Sequence, residues 1–366
     1  MRVWVMSNEY RPRIIGGLGI VATNVTNGLA RAKANVRLIT VTRKPKIRIQ
    51  RKKNLQIIRF PSSLRKMKKN QAMIANWLMT KRYARPDIIH VHSVNFLALA
   101  RYYKQKYGVP IVYTCHSLVI LEPKTRYRLL VAKRQEQLMR IADTIVVPSV
   151  WQEEKVKQYY PSLSRKVQVI ENGIHVKKSP AEAPQGHLLY VGRITRMKGV
   201  EELLQAVSLL AKERQGVRLH IAGTGSDRYL AKLRRLTVEK GIRSKVRFLG
   251  FRPHTEVQKL YRKYGAVIVP SKQESFGLVA LEALASGVPL VSTRRGGLSQ
   301  FVTEEVAEVI PAVSGRSIAK SIENMWNDSE LTQSRVDKGL EMAADYDWSR
   351  VTEKYLELFS NILQKG

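Results

Sequence analysis

Two carboxylates eight residues apart, Glu274 and Glu282, stand in the stretch Pro270–Val302, PSKQESFGLVALEALASGVPLVSTRRGGLSQFV. The apolar run Ala266–Val269 before them reads as a strand, and a helix is expected to begin near Ser275–Leu278. A helix start presents unpaired N–H groups and the positive end of a dipole. The turn Glu274-Ser275-Phe276-Gly277-Leu278 is therefore a seat for phosphate. Glu282, two turns in, can face the same pocket. Carboxylates accept hydrogen bonds from paired hydroxyls, so this pair suits a sugar or ribose diol. Two cations, Arg193 and Lys198, follow another apolar run, His187–Val191; Arg193 leaves the strand end and Lys198 is expected to open the next helix. His116 lies just past a third run, Ile111–Cys115.

The elements that hold these residues alternate along the chain. Arg2–Met6 reads as a first strand, followed by Gly16-Gly17-Leu18-Gly19 and a helix with apolar positions at Leu18, Val21, Val25 and Leu29. Without a Cβ, such a turn lets backbone N–H groups approach an anion, although a tight turn alone explains the glycines equally well. Further strands are expected at Val36–Val41, Leu55–Phe60, Ile88–Val91, Ile111–Cys115, Thr144–Val147 and Gln168–Ile170. A second series follows at His187–Val191, Arg218–Ala222, Val246–Leu249, Ala266–Val269 and Leu290–Ser292. Short strands alternating with helices make each half a doubly wound, Rossmann-like parallel sheet of the α/β class. Ligands of such sheets lie beyond the carboxyl ends of the strands. Lys177–Gly186, KKSPAEAPQG, has the composition of a linker, which divides the chain into 1–178 and 187–345.

Several residues invite chemistry that their surroundings refuse. Cys115 adjoins His116, but neighbours on a strand point to opposite faces, so they make no nucleophile and base pair. Cys115 is expected to be buried. His90 and His92 share one face, yet no third ligand is near in sequence; His90 reads as structural and His92 as a residue of the acceptor cleft. Asp345-Tyr346-Asp347 resembles a metal-binding Asp-x-Asp, but Asp347 directly precedes Trp348 and a last helix, where capping is the simpler role. Gly223-Thr224-Gly225 is an incomplete dinucleotide fingerprint and reads as a turn.

Taken together, Glu274-x7-Glu282 with Phe276-Gly277-Leu278, then Ala285-Ser-Gly-Val-Pro289, Gly296-Gly297 and Gly192-Arg193-x4-Lys198-Gly199, resembles the retaining nucleotide-sugar glycosyltransferases of family 4 (glycosyl transferases group 1). The resemblance covers nearly the whole chain and implies the GT-B fold: two Rossmann-like domains facing across a cleft, with the final helix, 348–366, crossing back to the N-terminal acceptor-side domain. It implies that Arg193, Lys198, Gly192 and the Glu274 turn meet the donor diphosphate, and that the Gly16-Gly17 loop closes over it. Glu274 then holds sugar hydroxyls, Glu282 the ribose and His116 the reacting sugar, while the loop Gly250-Phe-Arg252-Pro253 borders the nucleobase. Two departures, His175 where Asp is common after Asn-Gly and Gln300 where Glu is common after Gly-Gly, bear on the donor sugar and the cleft.

In this reading the donor is a nucleoside-diphosphate sugar, no separate cofactor takes part, and fixed cations make a metal ion unnecessary. Attack on the same face, assisted by the departing phosphate, is what the resemblance implies. A phosphorylase of related architecture, a sugar-nucleotide epimerase and a non-enzymatic polyanion-binding protein are the rival readings.

Composition limits the partners. At 366 residues and 44% hydrophobic the chain suits two well-packed domains. One cysteine precludes an internal disulfide and fits a reducing compartment. The N-terminus turns polar too early for a signal peptide and no apolar run reaches spanning length, so a cytoplasmic protein is expected. The net charge is +35, and between Glu9 and Asp87 there are twenty Lys or Arg and no acid. Such a field seeks anions, and general solubility is its plainest alternative. A lipid-linked or anionic glycan acceptor and an anionic membrane surface at the inner face are the expected partners, nucleic acid is not. Ser62–Lys81 places Leu64, Met67, Ile74 and Leu78 on one helical stripe beside Trp77, suited either to a membrane surface or to packing on the sheet.

Overall fold

The computed structural model describes residues 1–62, 74–75, 77–80, 83, 85–122, 125–176 and 186–365. The chain divides into an N-terminal unit, Met1–Gly173 with Trp348–Gly366, and a C-terminal unit, Ile174–Asp347. The division precedes the expected linker, whose residues 177–185 lie outside the described part.

In the N-terminal unit the strands are β1 (Arg2–Met6), β2 (Asn35–Thr42), β3 (Arg48–Lys52), β4 (Leu55–Pro61), β5 (Ile88–Val91), β6 (Ile111–Thr114), β7 (Thr144–Val147) and β8 (Val167–Val169). They lie in the order β3-β4-β2-β1-β5-β6-β7-β8, and all but β3 run parallel. Strands β5 and β6 are buried at every position, as a sheet covered on both faces requires. Helices α1 (Gly17–Arg31), α2 (Leu97–Tyr107), α3 (Arg126–Ile141) and α4 (Val150–Tyr159) follow their strands. Thr125 and Ser149 cap α3 and α4 by accepting from the N–H of Arg128 and Gln152.

The antiparallel β3 was not expected. Its sequence, RIQRK, is exposed throughout; charge on an edge strand blocks pairing with another chain, and it also removes the apolar alternation by which a strand is read. Of the expected Ser62–Lys81 helix, Leu64 and Met67 lie outside the described residues. Ile74 and Leu78 are buried in the core, and Trp77 meets Phe60 edge-on at 5.3 Å, so this half of the stripe packs on the sheet.

The C-terminal unit holds β9 (His187–Val191), β10 (Arg218–Ala222), β11 (Val246–Gly250), β12 (Ala266–Val269), β13 (Leu290–Ser292) and β14 (Glu308–Val309), in the order β11-β10-β9-β12-β13-β14. All pairings are parallel. Its helices are α5 (Val200–Glu213), α6 (Asp227–Glu239), α7 (His254–Leu260), α8 (Leu278–Leu284), α9 (Gly315–Asn327) and α10 (Ser329–Ala344). Two apolar clusters pack this sheet, one containing α5 and α9 residues and the other α7 and α8 residues.

The last helix, α11 (Trp348–Lys365), belongs to the N-terminal unit. Trp348, Tyr355 and Phe359 are fully buried there, and the Tyr355 hydroxyl meets Thr114 Oγ1 at 3.0 Å. Among the described residues no helix is long and apolar enough to cross a membrane.

Candidate functional site

In the C-terminal sheet the strand order reverses between β9 and β12, and such a switch point opens a crevice at the carboxyl ends. Gly192-Arg193 leaves β9 there and Pro270–Glu274 leaves β12. A three-residue turn, Arg196–Lys198, follows, and α5 starts only after Gly199, so Lys198 precedes the helix rather than opening it. Gly199 has φ +68°, and a Cβ on it would stand 2.0 Å from the Pro270 carbonyl. Only glycine permits both the left-handed turn and this approach.

The approach delivers Lys198 to Glu274: Nζ lies 2.5 Å from Oε1, which also accepts from Ser271 Oγ at 3.0 Å. The Glu274 carbonyl accepts from Gly297 N–H at 2.9 Å, and a Cβ on Gly296 would collide with that carbonyl at 2.2 Å, which explains the Gly-Gly pair as a rest for the Glu274 turn. Arg193 is exposed and makes no ion pair among the described residues. Tyr190 is a residue that sequence reading missed. Its hydroxyl donates to the Arg193 carbonyl at 2.8 Å, and burial, with Glu274 nearby, holds its pKa well above the usual tyrosine value. A tyrosine within an apolar strand carries no local signal beyond core.

Glu282 is buried on α8 and already engaged. Tyr261 donates to Oε2 at 2.6 Å, and His254 Nε2 lies 2.7 Å from Oε1. Each carboxylate oxygen keeps a second lone pair, so a further hydroxyl can still be accepted. The Phe276 side chain packs against Phe301 and Tyr346, and the residue is buried. Gly277 and Leu278 form the start of α8, and Ser275 stands before them. Arg252 is exposed and loosely paired with Glu256 at 3.5 Å.

In the N-terminal sheet the order reverses between β1 and β5. The chain beyond β1 is tied to that beyond β5 by Asn8 N–H on Ser93 Oγ at 3.0 Å. Glu9 turns back onto the glycine loop: Oε2 accepts from Ile15 N–H at 2.8 Å and Gly16 N–H at 3.2 Å. The Gly16 amide is thus engaged from within the chain. Burial raises the Glu9 carboxyl pKa, and the amides that it accepts from, with Arg13, oppose that rise.

His116 follows β6, with Nε2 3.0 Å from His92 Nδ1. His92 is 1% exposed, so the expectation that it lines the cleft is corrected: it stands behind His116 and acts on a ligand only through it. Its Nε2 is buried without a hydrogen bond among the described residues. An orphan lone pair is less costly than an orphan N–H, which places the His92 proton on Nδ1, donating to His116 Nε2, and the His116 proton on Nδ1. Burial pushes His116 down to about 3 and His92 well below the ordinary value, so both are neutral near pH 7. His90 is held by Thr114 at 2.7 Å in the core. Cys115 is buried as expected, its thiol pushed up to about 12 by that burial.

These features lie in two matched halves of sequence. Residues 173–342 match the family described as glycosyl transferases group 1, and residues 15–178 match glycosyltransferase family 4. The chain belongs to the group 1 glycosyltransferases. It is 28% identical to a glycogen synthase of Mycobacterium tuberculosis over 98% of this chain and 94% of that one. Among solved structures, sucrose-phosphate synthase from Thermosynechococcus elongatus superposes with a TM-score of 0.81, at 21% identity and with 100% of each chain covered. HepE of Anabaena, solved with UDP and glucose, gives a TM-score of 0.76 at 18% identity over 98% of this chain and 99% of that one. As a group 1 glycosyltransferase the chain has the GT-B fold, built from two Rossmann-like domains.

Proposed function

We propose that this glycosyltransferase moves a sugar, with retention at the anomeric carbon, from a nucleoside-diphosphate sugar to a hydroxyl of a lipid-linked or anionic glycan acceptor, in cell-surface glycan or glycolipid synthesis. The observation that carries this reading is the meeting of Lys198 with Glu274 at the switch point of the C-terminal sheet, near Arg193, which makes no ion pair among the described residues. The UDP and glucose bound by HepE support a nucleoside diphosphate as the leaving group.

In the proposed reaction the bond from the anomeric carbon to the phosphate oxygen breaks and its electron pair stays on the diphosphate. Lys198, held by Glu274, and Arg193 supply positive charge for that leaving group, and such stabilisation needs no metal ion. Backbone N–H groups of the Ser275–Leu278 turn add donors, whereas those of Gly16 and Gly192 already donate to the Glu9 carboxylate and the Ala222 carbonyl. Glu274 accepts from sugar hydroxyls, Glu282 from the ribose, and Arg252 borders the base. His116 donates from Nδ1 to the sugar. The acceptor oxygen bonds to the anomeric carbon on the face that the diphosphate leaves, and its proton passes to the departing phosphate. The excess of Lys and Arg favours peripheral association with an anionic membrane surface at the inner face.

Thermal shift against UDP, GDP, ADP and their sugars tests the donor. One nucleotide is expected to raise the melting temperature, and Arg193→Ala to remove the shift; a ligand at 100 times its Kd stabilises by about 2.7 kcal/mol. The anomeric proton signal of the product then reads the stereochemistry, and an inverted linkage sinks the retaining mechanism. Turnover of donor without acceptor indicates an epimerase, and turnover of a disaccharide with phosphate a phosphorylase. Equal neglect of vesicles with and without anionic lipid ends the membrane reading.

A further inference from the structure

We propose that the loop after β1 carries a binding site for a phosphate-type oxyanion on the acceptor, formed by Arg13 and Arg59 with Arg48 beside them. The inference rests on the N-terminal unit being the acceptor side, and it names the chemistry that this side recognises.

Three observations converge. First, position: the loop Ser7–Ile15 leaves the carboxyl end of β1 at the sheet's switch point, Arg59 lies near the carboxyl end of β4, and the antiparallel β3 brings Arg48 to that same end opposite Arg59. Second, an unmet donor: Arg13 Nη1 is buried and has no hydrogen-bond partner among the described residues. A buried guanidinium N–H without an acceptor is costly, and an oxyanion supplies one. Third, Arg59 is held in place at this end with Arg48 beside it, while Arg13 lies near the Glu9 carboxylate. Arg59 is half-buried, held by Nη2 on the Arg11 carbonyl at 3.0 Å and by Nη1 on Gln50 at 3.3 Å, with its guanidinium 5.9 Å from the Tyr10 ring centre. Tyr10 is anchored in turn by Asn27 at 2.7 Å.

Burial, with Arg48 adding to it, pulls Arg59 below the usual arginine value. The nearby carboxylate, Glu9, accepts from Ile15 and Gly16 N–H groups and interacts with Arg13 by charge, but it makes no hydrogen bond to Arg13 Nη1. A merely solvated basic face would keep its guanidinium groups in water. Here one nitrogen is withdrawn from solvent, and the fork of a second is oriented by two hydrogen bonds. Arginine forks of this kind match the geometry of phosphate oxygens. A sugar phosphate and a phospholipid headgroup share this chemistry.

The test uses the full chain, with inorganic phosphate as probe at constant ionic strength set with chloride, read by thermal shift. Phosphate is expected to stabilise the wild type, and its apparent Kd to rise at least tenfold in Arg13→Gln and in Arg59→Gln while staying unchanged in Arg193→Ala. Phosphate affinity that is equal in wild type, Arg13→Gln and Arg59→Gln overturns the proposal. So does affinity lost only in Arg193→Ala, which would put the anion in the donor seat. Should Arg13→Gln fail to fold, Arg13→Lys decides, because it keeps the charge but not the fork; undiminished affinity in it counts against the site.

Nucleoside diphosphate stabilisation is measured on the same variants. If no nucleotide binds yet phosphate still depends on Arg13, the donor reading fails and the anion site stands. Glycerol 3-phosphate and phosphatidylglycerol vesicles separate the two sources. Binding of either that needs Arg13 supports the site and names the source. Vesicle binding that needs Arg51 and Lys52 but not Arg13, with no glycerol 3-phosphate effect, overturns it.

Discussion

Replacing Lys198 by Ala separates a catalytic cation from a structural brace, because the two roles differ in size. The ion pair with Glu274 is short, 2.5 Å, and its side chains are 16% and 20% exposed. An exposed pair is worth about 0–1 kcal/mol, and breaking a fully buried one costs about 3–5 kcal/mol. Glu274 also keeps its Ser271 donor in the variant, so the expected loss of stability is about 1–2 kcal/mol. In melting temperature that is a fall of roughly 2–8 °C. A lost stabiliser of leaving-group charge instead lowers kcat by about two to three orders of magnitude, or about 2.7–4 kcal/mol of barrier. The assay is initial rates at saturating donor, well below the melting temperature of the variant, with kcat and KM resolved. Lys198→Ala should lower kcat a hundredfold or more, and Lys198→Arg should recover part of it. A variant that melts lower yet turns over within threefold of wild type would refute the assignment and leave Lys198 a brace for Glu274.

Three further outcomes are expected. Gly199→Ala forces a side chain to φ +68° and to within 2.0 Å of a carbonyl, whereas Gly108→Ala meets φ +67° in open space. Chemical denaturation should give losses of about 2–5 kcal/mol for the first and about 1–2 kcal/mol for the second; equal losses would remove the close-packing account of the Gly199 turn. Cys115, its thiol raised to about 12, should resist alkylation at pH 8 in the folded protein and react once unfolded, as mass spectrometry would register; rapid labelling of the native chain would contradict its burial. His90 and His116 are lowered to about 3 by burial, so between about pH 6.5 and 3 the unfolded chain binds more protons than the folded one. The stability that they contribute is present above the unfolded pKa and is lost as pH falls towards 3. Melting temperature should therefore drop from pH 7 to pH 5, less steeply in His90→Gln, and parallel slopes would count against a buried neutral His90.

What the sequence alone determined was local. A run such as Ala266–Val269 is apolar at every position because both faces of a parallel sheet are covered, and that need is written residue by residue. The glycine turns and the residues just past each strand were equally legible, because position in the chain already places them at a carboxyl end. The contacts that turn these residues into a site were not legible. Lys198 and Glu274 are 76 residues apart, and Thr114 and Tyr355 are 241 apart; each pair meets only because of strand order and the return of the last helix. The edge strand β3 was not legible either, since its charged residues carry no period to read, while Glu9 on the glycine loop and Tyr190 beneath Arg193 are short-range contacts that their residue types do not single out. Period and turn chemistry are properties of neighbours along the chain, whereas pairing partners are chosen by sheet order, which only the folded backbone sets.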